Sequence, residues 1–326
     1  LRNHYQVLYL DFSQISNNID LLEDNFNRYC CIKLNDFIHT YCEDYPEDKI
    51  NEFLRANNFG QKLNMLLNMS RKYGQALYLI IDEYDSFTNI VFSEQVEETY
   101  FKTSLIGRFY SHVFKLFKGM FERIFLTGVS PVTLDDLTSG FNIGWNISMA
   151  PELDKMLGFS TEDVRQMFTY FKEAGQLPAD CDIEAMIAEM KPWYDNYCFA
   201  KECLESDVRV FNCDMVLYYL RNYISYKHSP EIMLDPNTKT DYKKLNMLIQ
   251  LDKLDGDRKG VMMEIIEKGE IAATLIPSFS ANEMTDPETF PSLLFYYGML
   301  TIKGKYGSML SLGIPNNNVR MQYYNY

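Results

Sequence analysis

The feature that most constrains the fold is a run of five consecutive apolar residues at 77–81, followed directly by Asp82 and Glu83. An unbroken apolar run of this length suits a strand that is buried on both faces, as in a parallel sheet covered by helices. Shorter runs of the same kind occur at 6–11 and 124–126. Helical apolar spacing separates the three runs, so the sequence predicts an α/β fold with a parallel sheet.

The helical segments of this first part have clear limits. The apolar spacing predicts a helix over 16–42 and a pair of helices over 46–73, interrupted at 57–60. Gly74 is expected to end the second helix of the pair. A long helix is predicted at 94–119, between the second and third strands. We therefore expect residues 1–150 to form one domain.

The pattern changes after residue 150, where shorter helical segments dominate up to residue 255. Ser160 and Asp163 have the spacing of a capping box, which predicts a helix start there and a helix that runs to Glu173. Further short helices are predicted at 182–190, 214–226, 242–251 and 260–268. Residues 151–255 are thus expected to form a mainly helical domain.

Residues 256–326 are expected to form a third domain. The spacing predicts a helix over 287–300 and two strands at 300–303 and 309–312, joined by a loop at 304–307. Helices followed by a two-stranded hairpin are typical of a winged-helix shape.

Charge and hydropathy narrow the classes of function. Lys and Arg number 31 and Asp and Glu 45, which gives a formal charge of −14. This acidity argues against electrostatic binding of nucleic acid by the whole chain, although a local basic face stays open. No apolar run reaches the roughly 18 residues of a membrane-spanning helix, so no membrane contact is expected. Seven cysteines without a metal-binding spacing indicate a reducing, cytoplasmic compartment.

The strand that ends in Asp82 and Glu83 has the Walker B pattern of P-loop ATPases. Ligands of an open α/β sheet bind at the carboxyl ends of its strands. An aspartate there can hold Mg²⁺, directly or through water, and the adjacent glutamate can activate the attacking water as a general base. The alternative is that two acidic residues simply end a strand.

Two further residues are candidates for phosphate contacts. Thr127 follows the strand at 124–126, where such ATPases keep a polar group that senses the γ-phosphate. A threonine that merely ends a strand is an equally good interpretation. Arg108, on the helix predicted before that strand, could reach a phosphate or could be a surface or packing residue.

The phosphate loop itself, Gly-x4-Gly-Lys-Ser/Thr, is missing from the sequence. The segments at 60–62 and 298–306 both depart from its spacing and lack its hydroxyl residue. If the strand at 6–11 is the second strand of such a core, the phosphate loop and its strand are expected upstream of Leu1. The predicted core is therefore an incomplete P-loop NTPase-like sheet, and this chain alone is expected to bind ATP weakly and to be inactive.

Six short segments of distinctive sequence are spread along nearly the whole chain. They are residues 8–13 (LYLDFS), 81–85 (IDEYD), 125–130 (FLTGVS), 157–160 (LGFS), 193–199 (WYDNYCF) and 310–316 (LSLGIPN), with Val319 and Arg320 after the last. Together they resemble the bacterial AAA-ATPase-like family, in which a P-loop core precedes a helical lid and a winged-helix-like segment. A PD-(D/E)XK nuclease-like domain often follows in that family.

The resemblance implies ATP and Mg²⁺ as ligands. It implies that Asp82 binds the metal, that Glu83 is the catalytic base and that Thr127 is the sensor. Asp85, within the second segment, and Arg108 are the further candidates for nucleotide binding. A homo-oligomer is also compatible with such a family.

The resemblance divides the remainder of the chain into a helical lid over 151–255 and a winged-helix-like domain over 256–326. The sequence departs from the family in the missing phosphate loop and in the missing nuclease-like domain. Asn196 also stands where the family has glycine, a mild change because asparagine tolerates positive φ.

Two alternatives to an active ATPase stay open. A degenerate core could serve as a protein-interaction scaffold, and substitutions of Asp82 or Glu83 would then change stability alone. A nucleic-acid-binding module could instead act through the predicted wing, where Lys303, Lys305 and Arg320 would contact DNA or form a solvated edge.

Overall fold

The structure is a computed structural model in which the chain divides into two compact units. The N-terminal unit comprises Leu1–Gly144 with Ser280–Asn282, and the C-terminal unit comprises Trp145–Phe279 with Glu283–Tyr326. The residues that the structure describes are 4–15, 21–86, 121–129, 132–133, 145–206, 209–235, 258–277, 279–280, 283 and 286–324. The helices predicted at 94–119 and 242–251 lie outside them, and the division into three domains stays a prediction.

The N-terminal unit is built on a three-stranded parallel sheet. Its strands are β1 (Gln6–Asp11), β2 (Leu77–Asp82) and β3 (Arg123–Leu126), and they lie in the spatial order β1-β2-β3. The helices α1 (Leu22–Thr40), α2 (Glu47–Arg55) and α3 (Phe59–Lys72) connect β1 to β2, and a two-residue strand, β4 (Val132–Thr133), follows β3. The predicted α/β class and the parallel sheet are confirmed.

One face of this sheet carries the core of the unit. Side chains alternate between faces along each strand, so Leu8, Leu10, Leu79 and Ile81 all point to the same side and are buried. They pack with buried residues of the three helices, among them Phe26, Leu34, Phe53, Leu63 and Leu66.

The opposite face of the sheet is only partly covered. Val7 is 37% exposed, Tyr9 is 45% exposed, and Tyr78 and Ile80 are half-buried. The prediction that β2 is buried on both faces is therefore wrong. The unbroken apolar run arises because one face holds aliphatic core residues and the other holds half-buried residues such as Tyr78, whose ring contacts that of Tyr5.

The junction of α2 and α3 is where the sequence predicts it. The Asn58 side chain caps α3 by accepting a hydrogen bond from the Gln61 amide at 3.0 Å, and Gly74, at φ 69°, ends the segment. The buried Lys62 Nζ donates to the Phe53 carbonyl at 2.7 Å and to Asn35 Oδ1 at 2.8 Å. This ammonium adds a second donor to the Phe53 carbonyl, which also accepts from the Ala56 amide at 3.2 Å.

After residue 145 the chain is mainly helical, with short strands. The elements are β5 (Phe159–Ser160), α4 (Thr161–Glu173), α5 (Ile183–Tyr194), β6 (Val210–Phe211), α6 (Cys213–Tyr226), α7 (Arg258–Lys268), β7 (Glu270–Ala273), β8 (Phe279–Ser280), α8 (Phe290–Tyr296), β9 (Thr301–Tyr306), β10 (Met309–Gly313) and α9 (Asn317–Tyr324). The capping box at Ser160 and Asp163 is confirmed, with both reciprocal hydrogen bonds present. None of the described helices is both long and apolar enough to cross a bilayer.

The last sheet differs from the predicted hairpin in two ways. It is a three-stranded antiparallel sheet in the order β7-β10-β9, and β7 was not predicted. The loop predicted at 304–307 is wrong, because β9 continues to Tyr306 and the reversal falls at Gly307, where φ is 62°.

The helix predicted over 287–300 ends at Tyr296, since Gly298 adopts φ 73°. The winged-helix shape stays a prediction.

We expect Lys62→Met to destabilise the N-terminal unit by about 1–3 kcal/mol, because it removes the hydrogen bonds of the buried ammonium to the Phe53 carbonyl and to Asn35 Oδ1. Urea unfolding followed by circular dichroism measures this change. The matched control is Lys72→Met, which removes an exposed ammonium from the same helix and should change the free energy of unfolding little. Equal losses in the two variants would contradict a role for the Lys62 hydrogen bonds.

Candidate functional site

The polar residues at the carboxyl ends of the parallel strands meet at one edge of the sheet. The register pairs Asp11 with Asp82 and Ile81 with Leu126, so Thr127 follows β3 beside the end of β2. Thr127 Oγ1 donates to Asp82 Oδ1 at 2.5 Å. The structure thus brings together two of the predicted site residues that lie 45 positions apart in the chain.

The half-buried Asp82 carboxylate has hydrogen-bond donors on both oxygens. Oδ1 accepts from the Thr127 hydroxyl and from the Glu83 amide, and Oδ2 accepts from the Tyr9 hydroxyl at 3.0 Å. A carboxylate has about four lone-pair positions, so these three bonds orient the group and leave it one position for a further partner. The hydrogen bond to Asp82 raises the pKa of Tyr9 above its ordinary value of 10.0, and burial adds to that effect.

Glu83 directly follows β2 in an unusual backbone conformation. Its φ is 52°, in the left-handed region that non-glycine residues seldom adopt. This turn aims the Glu83 amide at Asp82 Oδ1, and the next amide, of Tyr84, donates to the Thr127 carbonyl at 3.0 Å. The Glu83 side chain is half-buried. Such local strain concentrates at functional sites, where the surrounding hydrogen bonds hold it in place.

Asp85, three residues after Asp82, contacts the turn after β3. It is 1% exposed, and its Oδ1 accepts from the Val129 amide at 3.2 Å. A Cβ atom on Gly128 would lie 2.4 Å from that same oxygen and 2.8 Å from the Tyr84 ring, so the turn requires glycine there. The role of Asp85 in nucleotide binding stays a prediction, and Arg108 lies outside the described residues.

Asp11 ends β1 at the same edge. Its Oδ1 accepts from the amide and hydroxyl of Ser13, its Oδ2 accepts from Gln14 Nε2, and its own amide donates to the Tyr29 hydroxyl. Burial acts to raise the pKa of Asp11, but the hydrogen bonds from Ser13 and Gln14 outweigh it and lower the pKa. Tyr9 and Asp11 were not predicted as site residues. The available signal was the alternation along β1, which places both on one face.

The described residues contain no group of three or more His, Cys, Asp or Glu side chains that could hold a metal ion. Mg²⁺ does not need one, because it commonly binds to one or two carboxylates, several waters and substrate phosphates. Asp82, oriented by three donors and with lone-pair capacity left, fits the single-carboxylate arrangement.

Comparison with known proteins finds a family match over the N-terminal part of the chain. Residues 1–138 match the AAA-ATPase-like family model, which is described as a predicted AAA-ATPase. This segment contains β1, β2 and β3 with their polar ends, so the resemblance to that family is confirmed there. No curated protein and no solved structure matches the chain.

We expect Asp82→Asn to lower the pKa of Tyr9 toward 10.0, because the neutral amide no longer opposes the negative charge of the phenolate. A titration of ¹³C-labelled tyrosine rings by NMR, with the Tyr9 signal assigned from Tyr9→Phe, measures the shift. Asp48→Asn, on the exposed first turn of α2, should leave that pKa unchanged. A Tyr9 pKa that is insensitive to Asp82→Asn would show that the two side chains do not interact.

Proposed function

We propose that the N-terminal unit is the nucleotide-hydrolysing core of an AAA-like ATPase, with Asp82, Glu83 and Thr127 at its centre. The observation that carries the proposal is the hydrogen bond from Thr127 to Asp82 across the ends of two adjacent parallel strands. It joins the Walker B position and the sensor position, which belong together in such an ATPase. The family match of residues 1–138 supports ATPase-like function.

The reaction would be phosphoryl transfer from ATP to water. Asp82 would hold Mg²⁺, which when bound neutralises charge on the phosphates. Glu83 would accept the proton of the attacking water and so act as the general base. Thr127 would act through Asp82, because its hydroxyl proton is already donated to that carboxylate and keeps it oriented.

The sheet supports the idea that the core is completed by a further segment. β3 pairs with β2 along one edge, and no strand within the described part of the chain pairs along its other edge. We expect a further strand and its phosphate loop to pair along that edge of β3.

The first test is ATP turnover by the gene product, with any residues that its gene encodes before Leu1. Glu83→Gln should reduce kcat by about 10²- to 10⁴-fold, the usual contribution of a general base, while nucleotide binding survives. Glu23→Gln, an exposed substitution in the first turn of α1, should leave turnover unchanged. If the parent protein neither binds nor hydrolyses ATP, the scaffold interpretation replaces the ATPase proposal.

A second prediction concerns the sensor position. Thr127→Val keeps the shape of the side chain but removes the donor to Asp82, and hydrogen bonds to charged groups contribute about 1.5–3 kcal/mol. We expect a loss in kcat of roughly 10- to 100-fold if that orientation matters in the transition state. Thr127→Ser keeps the hydroxyl and should retain most of the turnover. Equal turnover by the valine and serine variants would refute the positioning role.

A further inference from the structure

The aromatic segment at 193–199 is hydrogen-bonded to two strands of the C-terminal unit. The Cys198 amide donates to Thr301 Oγ1 at 2.7 Å, and Thr301 Oγ1 donates back to the Cys198 carbonyl at 3.1 Å. These bonds join the segment to the start of β9. Tyr197 forms an antiparallel bridge with Val210, which joins it to the start of β6.

The same segment is also bonded to the first turn of α9. Asn316 Nδ2 donates to the Asp195 carbonyl at 3.0 Å, and the Asn316 carbonyl accepts from the Arg320 amide one turn later. On the other side, the Asp195 amide donates to the Lys191 carbonyl at the end of α5. The backbone of Asp195 is thus hydrogen-bonded directly to Lys191 on α5, and through Asn316 it is connected to Arg320 on α9.

Two more cationic residues lie next to the bonded strand residues. Arg209 immediately precedes Val210, and Lys303 is two residues after Thr301. Lys191, Arg209 and Lys303 are close enough to Asp195 to interact with it electrostatically, and Arg320 interacts in the same way with Lys303. We call Lys191, Arg209, Lys303 and Arg320 the basic patch.

Asp195 lies in the interior beneath the patch, and three of the four cations lie at the surface. Asp195 is 6% exposed, whereas Lys191, Lys303 and Arg320 are exposed. Burial raises the pKa of Asp195, and Lys191, Arg209 and Lys303 oppose that rise. The aliphatic stem of Lys303 lies against Gly313. This partial desolvation lowers the pKa of its ammonium group, and the nearby Arg209 and Arg320 lower it further.

Asp154, a second buried carboxylate near this segment, is engaged with backbone. It is 4% exposed, and its Oδ1 accepts from the amides of Phe199 and Ala200 at 2.8 Å each. The Arg209 guanidinium is engaged with the backbone of its own loop, because it donates to the carbonyls of Cys203, Leu204 and Ser206. The outward charge of the basic patch is therefore carried by Lys191, Lys303 and Arg320.

We propose that the basic patch binds the phosphodiester backbone of a nucleic acid. Lysine and arginine side chains supply most of the phosphate contacts that position proteins on nucleic acids. Exposed cations on three separate elements, Lys191 on α5, Lys303 on β9 and Arg320 on α9, suit a row of phosphates, whereas a single nucleotide is normally held in a concave pocket. The proposal is independent of ATP hydrolysis by the N-terminal unit.

The test is fluorescence anisotropy of a labelled DNA duplex of mixed sequence, titrated with the full chain at several salt concentrations. On an acidic chain we expect weak, sequence-independent binding, with Kd of about 10⁻⁶–10⁻⁴ M, that falls steeply with salt. Lys303→Ala with Arg320→Ala should reduce the slope of log K against log salt by about 2, one for each lost phosphate contact.

Two variants make the result specific to the patch. Lys155→Ala with Lys259→Ala removes the same charge from exposed lysines elsewhere in the C-terminal unit and should bind like the parent. Lys303→Arg with Arg320→Lys keeps both charges and should also bind, which separates charge from folding. Any one of three results overturns the proposal. The first two are no binding of the duplex at low salt and an equal loss of binding in the Lys155→Ala, Lys259→Ala control. The third is full displacement of the duplex by pyrophosphate at the same total phosphate concentration as the duplex.

Discussion

The parallel register of β1, β2 and β3 determines where the described polar groups of the candidate site lie. Strands that run parallel and in register end at one edge, so Asp11, Asp82 and Thr127 are brought side by side by backbone pairing alone. The period of two along each strand couples this edge to the core, because Leu79 and Ile81 can be buried on one face only if Tyr9 and Asp82 share the other. A slip of one residue would expose the core and dismantle the site together.

The hydrogen bonds at this edge have the character of a preorganised site. Holding Glu83 in the left-handed region costs about 1–3 kcal/mol, and the Asp82 and Thr127 acceptors of the two successive amides offset that cost. The Asp82 carboxylate is oriented before any ligand binds, and Gly128 allows Asp85 to pack against the turn that presents Thr127. A strand that merely ended in acidic residues would need none of these arrangements.

Local patterns in the sequence predicted local structure well and long-range contacts poorly. The capping box at Ser160 and the stop at Gly74 depend on neighbouring residues, and both are confirmed. β7 was missed because its four residues, Glu-Ile-Ala-Ala, form a strand only through pairing with β10. Tyr9 was missed because its partner Asp82 lies 73 residues away. The sequence indicated which residues end the strands, but only the strand order shows which of them touch.

The net charge of −14 describes the chain as a whole and not its local fields. Many of the acidic residues stand in the first turns of helices, such as Asp48 in α2 and Glu162 in α4. There they interact favourably with the helix dipole. Around Asp195 the local charge at the surface is positive instead, since this carboxylate is buried and Lys191, Lys303 and Arg320 face solvent. Interactions between exposed charges fade beyond about 8–10 Å at physiological salt. A phosphate near Lys303 and Arg320 would therefore experience mainly the basic patch, and the overall acidity would limit the affinity without abolishing binding.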